Sequence, residues 1–402
     1  MKPTLFGYGL TTKAIASSLG GGCVFFDDNC QDAYSDDMGN TILPSREFDA
    51  TKSSLEVTTP SLPPAHPLIQ KAKNLKSEYD YFLGSTDKKP FNIWISGTNG
   101  KTTTTQMLTH LLSKKGAISG GNIGTPLANL DFDAPIWVLE TSSFTLHHTN
   151  EASPDIYILL PITPDHLNWH GDMHGYTQDK LKPLTTMREG ELALVPKGLD
   201  LPPSDAYVVE YDTNEFLAEY FDIDMHRINF KGAFLQDALL SLAVTRVLFD
   251  EVDYDLINGF KKDAHRQEEI VDKYDRVWIN DSKATNLDAT IQALNSFDES
   301  YMHLILGGDD KGVDLSELFL KLQNKDVEIY AIGSNSDRLI DLANQYNIKA
   351  HKCDVLKNAV SLIDKTHTKD SIAILSPAAA SLDQYSSYKQ RGDEFRDLIQ
   401  AL

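Results

Sequence analysis

Residues 96–104, with the sequence SGTNGKTTT, constrain this chain more than any other segment. They follow an apolar run at 93–95 that is typical of a buried strand, and they precede residues 106–114, where apolar side chains recur at helical spacing. A strand, a glycine loop, Lys-Thr and a helix indicate a phosphate-binding loop, because backbone N–H groups and the helix N-terminus bind an anion. Lys101 would add a positive charge and Thr102 a hydroxyl ligand for Mg²⁺. The segment therefore predicts a nucleoside triphosphate site.

The loop departs from the standard pattern G-x-x-x-x-G-K-[ST] at one position. Ile95 stands where the first glycine is expected. The alternative interpretation is a tight turn, made by Gly97 and Gly100, that binds no ligand. The Lys-Thr pair and the flanking strand and helix favour phosphate binding.

Composition excludes several classes of function. The chain has 402 residues, enough for two or three domains, and a net charge of −21 with no basic stripe, which argues against a nucleic-acid partner. Its three cysteines, Cys23, Cys30 and Cys353, have the spacing of neither a disulfide framework nor a metal site. No run reaches membrane-spanning length, and the N-terminus has no secretory apolar region. We expect a cytoplasmic protein that does not bind membranes.

Alternation of strand and helix patterns predicts an α/β protein of three domains, at 1–85, 86–264 and 265–402. The first begins with a strand at 4–6, a glycine turn at 7–12 and a second strand at 23–26. This is half of a Rossmann-like dinucleotide fingerprint, and a βαβ turn without a ligand explains it equally well.

In the predicted central domain, polar residues follow two apolar strands. The strand at 136–139 ends at Glu140, and the strand at 156–160 leads towards His166. Ligands of an open α/β sheet bind beyond the carboxyl ends of its strands, so the phosphate loop, Glu140 and His166 should converge on one edge. A carboxylate at the position of Glu140 suits Mg²⁺ coordination. The alternative interpretation is a solvent-exposed carboxylate at the end of the strand that binds no metal.

The run 165–171, DHLNWHG, is rich in metal ligands. His166 and His170 are four residues apart, as in the zinc motif H-E-x-x-H, but Leu167 replaces the essential glutamate. A zinc hydrolase is therefore disfavoured. We predict that His166 contacts Mg²⁺ or substrate, and that His170 and the pair at 147–148 are structural.

The C-terminal domain has three polar loops after predicted strands of one sheet. Each loop alone is compatible with a simple turn, but three at the same edge indicate a binding site. The strands are predicted at 276–279, 303–306, 328–332 and 372–375, and the loops at 280–286, 306–311 and 376–383.

These motifs, in this order, resemble the Mur ligases, the ATP-dependent amide-forming family of peptidoglycan precursor synthesis. The resemblance covers nearly the whole chain, and its C-terminal part (376–385 with 391–395) resembles the members that add D-glutamate. The matching segments are 97–103, 121–124, 140–144, 165–166, 176–180, 265–266, 280–286 and 306–311.

The resemblance implies a reaction and a set of ligands. ATP would activate the L-alanine carboxylate of UDP-N-acetylmuramoyl-L-alanine as an acyl phosphate, which the D-glutamate amine would then attack. Two Mg²⁺ ions and a monomeric enzyme are expected. The implied catalytic residues are Lys101, Glu140, His166 and Lys180, with Lys180 carbamylated; the implied metal ligands are Thr102, Glu140, His166 and Lys180. Lys180 has no other signal in the sequence, since a lysine is ordinarily a surface residue.

The substrate contacts implied by the resemblance fall into three groups. Those to ATP are Gly97, Thr98, Asn99, Gly100, Lys101, Thr102, Thr103, Arg266, Asn280, Asp309 and Lys311. Those to the nucleotide sugar, in a Rossmann-like N-terminal domain, are Leu10, Thr11, Thr12, Asp27, Asp28, Thr59, Asn122, Ile123 and Ser142. Those to D-glutamate, in a Rossmann-like C-terminal domain, are Ser381, Leu382 and Tyr388.

The chain departs from the family pattern in two places. Residues 59–61 read Thr-Pro-Ser where serine-proline-glycine is usual, and Asp237 stands where an asparagine that contacts ATP is expected. An aspartate accepts hydrogen bonds but cannot donate as an amide does.

Three other functions remain open at this point: a ligase that adds L-glutamate to a folate, a regulatory nucleotide-binding module, and a P-loop NTPase or kinase.

Overall fold

The computed structural model describes residues 2–84, 89–297 and 301–402. The chain divides into two compact units, residues 1–229 with 234–260 and residues 230–233 with 261–402. The first unit contains two six-stranded sheets and the second contains a third. The predicted α/β class is confirmed. The predicted boundary at 85/86 lies outside the described residues, so the domain limits stay a prediction.

The N-terminal sheet has the strand order β3-β4-β2-β1-β5-β6, parallel except for the pairing of β3 with β4. The first helix begins at Leu10, within the segment 7–12 that the sequence predicts as a glycine turn, because the backbone N–H of Gly9 donates to the hydroxyl of Thr12 and so caps the helix. The strands are β1 Thr4–Phe6, β2 Val24–Asp27, β3 Tyr34–Ser35, β4 Thr41–Pro44, β5 Glu56–Thr58 and β6 Leu75–Lys76; the helices are α1 Leu10–Ser18, α2 Pro67–Lys71 and α3 Glu78–Leu83.

The central sheet is parallel throughout, with the order β12-β11-β10-β7-β9-β8. Its strands are β7 Phe91–Ser96, β8 Ala117–Gly121, β9 Ile136–Glu140, β10 Ile156–Leu159, β11 Leu192–Pro196 and β12 Tyr207–Tyr211. Its helices are α4 Lys101–Leu111, α5 Ser143–His148, α6 Leu167–His170, α7 Met173–Leu181, α8 Asn214–Tyr220, α9 Ala233–Phe249 and α10 Tyr254–Asn258.

Alternating side chains of the central strands form a core on one face of that sheet. Trp94, Trp137 and Tyr157 are completely buried in this core, together with Tyr79 and Leu83 of α3. The strands read as continuous apolar runs because both of their faces are covered. Helix α3 thus packs on the central sheet, and the Tyr79 hydroxyl donates a hydrogen bond to the Glu140 carbonyl at 3.2 Å.

The third sheet has the order β13-β14-β18-β15-β16-β17, with β13 antiparallel to β14 and the other neighbours parallel. Its strands are β13 Glu268–Val271, β14 Val277–Asn280, β15 Tyr301–Gly307, β16 Val327–Ile332, β17 Lys349–Asp354 and β18 Ser371–Leu375. Its helices are α11 Leu287–Leu294, α12 Ser316–Leu322, α13 Ser336–Gln345, α14 Leu356–Ile363 and α15 Tyr388–Gln400. The four predicted strands are confirmed, and two edge strands, β13 and β17, are additional.

Two buried histidines of the third sheet predict a pH dependence of stability. The rings of His303 and His367 lie 5.4 Å apart, and burial lowers the pKa of each to about 4. An unfolded histidine titrates near 6.5. Between pH 6.5 and 4 the unfolded chain therefore binds more protons, so the free energy of unfolding should fall as the pH is lowered through this window. The loss should be on the order of 1–3 kcal/mol for each histidine.

Denaturant unfolding, followed by a spectroscopic signal from the unit that contains the third sheet and measured from pH 7 to pH 4, tests this expectation. Replacing both histidines by glutamine should flatten the slope, whereas His226→Gln, at an exposed histidine, should leave it unchanged. An unaltered slope in the double variant would contradict the expectation.

Candidate functional site

The phosphate loop has the geometry that the sequence predicts. It connects β7 to α4, and Gly97 and Gly100 have positive φ angles of 141° and 83°. A Cβ at Gly97 would lie 2.5 Å from the Leu160 Cβ, so the close approach of loop and strand end requires glycine there. The Thr98 hydroxyl donates to the Thr163 carbonyl at 2.9 Å, which joins the loop to the segment after β10.

Two lysine ammonium groups meet at one carbonyl of this loop. Lys101 Nζ donates to the carbonyls of Gly97 and Thr98 at 2.9 and 2.7 Å, and Lys180 Nζ donates to the same Gly97 carbonyl at 2.7 Å. Lys180 is only 1% exposed. Burial, and then the nearby charge of Lys101, hold the pKa of Lys180 well below its usual value. This lowering favours the neutral amine of Lys180 over its ammonium form.

Glu140 lies at the carboxyl end of β9, which is the direct neighbour of β7. It is buried, and its Oε1 accepts a hydrogen bond from Asn122 Nδ2 at 2.7 Å. Its Oε2 is also buried but has no hydrogen-bond partner. A buried carboxylate oxygen without a donor fits a hard cation such as Mg²⁺.

No group of three or more His, Cys, Asp or Glu side chains within residues 2–84, 89–297 and 301–402 is arranged to hold a metal ion. Mg²⁺ is commonly bound by one or two carboxylates together with substrate phosphates and water. Glu140 and the Thr102 hydroxyl are compatible with that mode of binding. The imidazole of His166 is a softer ligand that suits Mg²⁺ less well.

The segment after β10 places its two histidines differently. His166 has a positive φ of 53°, its side chain is 46% exposed, and its ring contacts Phe144. The side chain of His170 is completely buried, with Nδ1 2.7 Å from Asp179 Oδ2 and Nε2 3.0 Å from the Ser143 hydroxyl. His170 has the structural environment that the sequence analysis expects.

A cavity of about 260 Å³ opens in the N-terminal sheet. Of the predicted nucleotide-sugar contacts, Asp27, Asp28 and Thr59 line it. Leu10 is 65% exposed, whereas Thr12 is buried and its hydroxyl donates to the Gly7 carbonyl at 2.6 Å. The remaining predicted contacts, Thr11, Asn122, Ile123 and Ser142, do not line this cavity.

The C-terminal residues predicted to bind ATP and D-glutamate lie at the carboxyl ends of β14, β15 and β18. Asn280 is buried, and its amide donates to the Gly392 carbonyl and approaches His265 Nδ1, each at 3.0 Å. Asp309 pairs through its backbone with Ala380, which joins two of the predicted loops. The other predicted residues are the half-buried Arg266 and Tyr388, the exposed Lys311 and Leu382, and the buried Ser381.

Comparison with known proteins identifies the family. A model of the Mur ligase middle domain matches residues 95–201. A UDP-N-acetylmuramoylalanine--D-glutamate ligase of Campylobacter jejuni subsp. jejuni serotype O:23/36 (strain 81-176) is 49% identical over 402 residues, covering 99% of both chains. A protein of the same name from Helicobacter pylori (strain HPAG1) is 44% identical, again covering 99% of both.

The chain belongs to the Mur ligase family. Solved structures show the same fold at low identity. MurF ligase from Thermotoga maritima, in complex with ADP, has a TM-score of 0.61 at 16% identity over 94% of this chain and 95% of its own. UDP-N-acetylmuramate-alanine ligase MurC from the same organism has a TM-score of 0.59 at 16% identity, covering 99% and 98%.

This Mur ligase contains two buried charged residues that the sequence prediction of site residues missed. Arg391 is 1% exposed and donates to the Ser282 and Ala379 carbonyls at 2.9 and 3.2 Å, which joins the loops after β14 and β18. Asp281 accepts a hydrogen bond from the Ser376 hydroxyl at 2.8 Å, and burial raises its pKa to about 7. Both lie within segments that carry the family resemblance, which was the available signal.

Proposed function

We propose that this Mur ligase adds D-glutamate to UDP-N-acetylmuramoyl-L-alanine in an ATP-dependent reaction of cytoplasmic peptidoglycan precursor synthesis. The observation that carries the proposal is identity of 49% over 99% of a relative with that name. The chemical support comes from the Gly97 carbonyl that the two lysines share and from the unpartnered carboxylate oxygen of Glu140, at the end of the strand paired with β7.

The proposed reaction has two displacements. A carboxylate oxygen of the L-alanine residue attacks the γ-phosphorus of ATP, and the bond to the β-γ bridging oxygen breaks to release ADP. The amine of D-glutamate then attacks the acyl phosphate carbonyl and expels inorganic phosphate, losing a proton as the amide forms. The first step depends mainly on positioning and on neutralisation of charge.

The phosphate loop performs this positioning. Backbone N–H groups of residues 97–103 and the N-terminus of α4 face the triphosphate, and Lys101 holds its negative charge. Glu140 and Thr102 would hold Mg²⁺, which when bound neutralises the phosphates and polarises the transferring group. His166 would contact the metal or the substrate.

Lys180 contributes as a carbamate in this proposal. Its neutral amine attacks CO₂, forms a C–N bond and releases one proton, which leaves an anionic carboxylate at the end of the side chain. The change places an anion beside the Lys101 ammonium, an attraction that the neutral amine does not offer. It also supplies an oxygen ligand of the kind that Mg²⁺ prefers.

Amino-acid choice tests the proposed function. D-Glutamate has two carboxylates, and a site with fixed donors for both rejects analogues that leave a buried donor unpaired. We expect ADP release, with UDP-N-acetylmuramoyl-L-alanine present, to require D-glutamate, and L-glutamate, D-alanine and diaminopimelate to fail. Efficient use of L-glutamate or of a diamino acid would overturn the assignment. ATP binding without such turnover would favour a regulatory module.

A substitution at Ser381 tests the proposed D-glutamate pocket separately. Ser381 is 3% exposed, and its carbonyl accepts hydrogen bonds from the backbone N–H groups of Gln384 and Tyr385 at 3.1 and 2.8 Å. Ser381→Ala should raise KM for D-glutamate and leave KM for ATP unchanged. Ser386→Ala, at an exposed serine of the same segment, is the control.

A further inference from the structure

A continuous chain of hydrogen bonds links α5, which begins three residues after Glu140, α6, which begins directly after His166, and α7, which carries Lys180. The Ser143 hydroxyl on α5 lies 3.0 Å from His170 Nε2, and His170 Nδ1 lies 2.7 Å from Asp179 Oδ2 on α7. The other oxygen of Asp179 is 2.9 Å from His147 Nδ1, also on α5. One carboxylate therefore holds two imidazoles from different helices.

The direction of these hydrogen bonds follows from the carboxylate. An ionised carboxylate only accepts, so His147 and His170 both donate from Nδ1. In a neutral His170 ring with its proton on Nδ1, Nε2 accepts from the Ser143 hydroxyl, which lies 3.0 Å away. Each donor in the chain has a specific acceptor, so the network has one preferred arrangement.

The members of this chain are close in sequence to the proposed metal and catalytic residues. Ser143 follows Glu140 by three residues, His170 follows His166 by four, and Asp179 directly precedes Lys180. The ring of Phe144 contacts both His166 and His170, at centroid distances of 4.8 and 5.5 Å. A displacement of the His170 ring would therefore also displace the His166 ring, through their shared contact with Phe144.

We propose that Asp179, acting through His170, is a positioning residue that fixes the beginning of α5 against α6 and α7 and so sets the spacing of Glu140, His166 and Lys180. This inference rests on the proposed function. Hydrogen-bonded partners behind metal ligands orient those ligands, and their loss typically costs about 10–100-fold in metal affinity or activity. A purely structural role would lower stability without changing metal affinity.

Binding of Mn²⁺, titrated by electron paramagnetic resonance with ADP present, provides a readout other than turnover. Asp179→Ala should weaken Mn²⁺ binding and lower kcat by about 10–100-fold, with KM for D-glutamate unchanged. His170→Phe should have the same effect, and the double variant should be no worse than either single variant, because both break one chain. Asp179→Asn keeps an acceptor for His170 Nδ1 and should recover part of the loss.

Asp155→Asn is the matched control. Asp155 is also half-buried and accepts hydrogen bonds from the backbone N–H and side-chain amide of Asn92, both at 2.7 Å, at the opposite edge of the same sheet. It should lower the melting temperature but not the Mn²⁺ affinity. Unchanged Mn²⁺ affinity in Asp179→Ala, or an equal loss in Asp155→Asn, would overturn the positioning role while the unmodified enzyme still used D-glutamate. An unmodified chain without that activity would instead overturn the proposed function.

Discussion

Lys101→Ala should lower kcat by about two to four orders of magnitude, the scale expected when a preorganised charge at the transferring phosphoryl group is lost. The ammonium of Lys101 is held over the loop by the carbonyls of Gly97 and Thr98, at 2.9 and 2.7 Å. Its charge is therefore fixed next to the backbone N–H groups that are proposed to bind the triphosphate. Removing it leaves those N–H groups in place, so ATP binding should weaken less than turnover.

Steady-state kinetics with ATP varied at saturating D-glutamate measures the two effects separately. Lys114→Ala is the control, because Lys114 is an exposed lysine that follows the same helix α4. Near-normal kcat in a folded Lys101→Ala protein would exclude this loop as the catalytic ATP site. A loss equal to that of Lys101→Ala in the control would point to general destabilisation instead.

The phosphate loop was predictable because its signal is local. Glycines at 97 and 100, Lys101 and an apolar strand before them specify the turn within ten residues, and the structure adds only the close contact with Leu160. The convergence of Glu140 with this loop was predictable for a related reason. Parallel neighbouring strands end at one edge, and β9 is paired with β7.

The edge strands β13 and β17 were not predicted, and their composition explains this. Residues 349–354 read KAHKCD, which lacks the run of apolar residues that marks a central strand. Strand β17 forms because β16 pairs with it from Glu328 to Ile332, with one shift of register between Ala331 and Ile332. Pairing of this kind depends on tertiary structure and leaves little trace in the local sequence.

The environments of Lys180 and Asp179 depend on residues far away in the sequence. Both are charged residues on a short helix, where a solvated position is the ordinary expectation. Lys180 is buried because the Gly97 carbonyl, 83 residues earlier, accepts its hydrogen bond. The proposed role of Asp179 depends on His147 of α5, whose Nδ1 lies 2.9 Å from the carboxylate. Only the family resemblance pointed to Lys180, and no sequence signal pointed to Asp179.

The helices of the described residues bear on membrane association. Over the part of the chain that the structure describes, no helix is both long and apolar enough to cross a bilayer. The proposed substrates are small molecules, and the proposed contacts lie in the loops, helices and strand ends around the three sheets. The monomeric state and the cytoplasmic location remain predictions.

Lys180→Ala should reduce turnover at least about a hundredfold, since it removes the anion that would balance Lys101 and hold the metal. An unmodified Lys180 places a second amino group on the carbonyl oxygen that Lys101 already binds, at 2.7 and 2.9 Å, and it can carry a charge there only against burial and the Lys101 charge. Carbamylation removes that conflict, because burial and Lys101 lower the pKa of Lys180 and thereby supply the neutral amine that reacts with CO₂.

A short carboxylic acid in the buffer should partly restore activity to Lys180→Ala by providing the missing anion. Lys182→Ala is the control, because the Lys182 ammonium points to the His147 carbonyl at 2.5 Å rather than to the phosphate loop. Full activity of Lys180→Ala, or of enzyme rigorously stripped of CO₂, would contradict the carbamate.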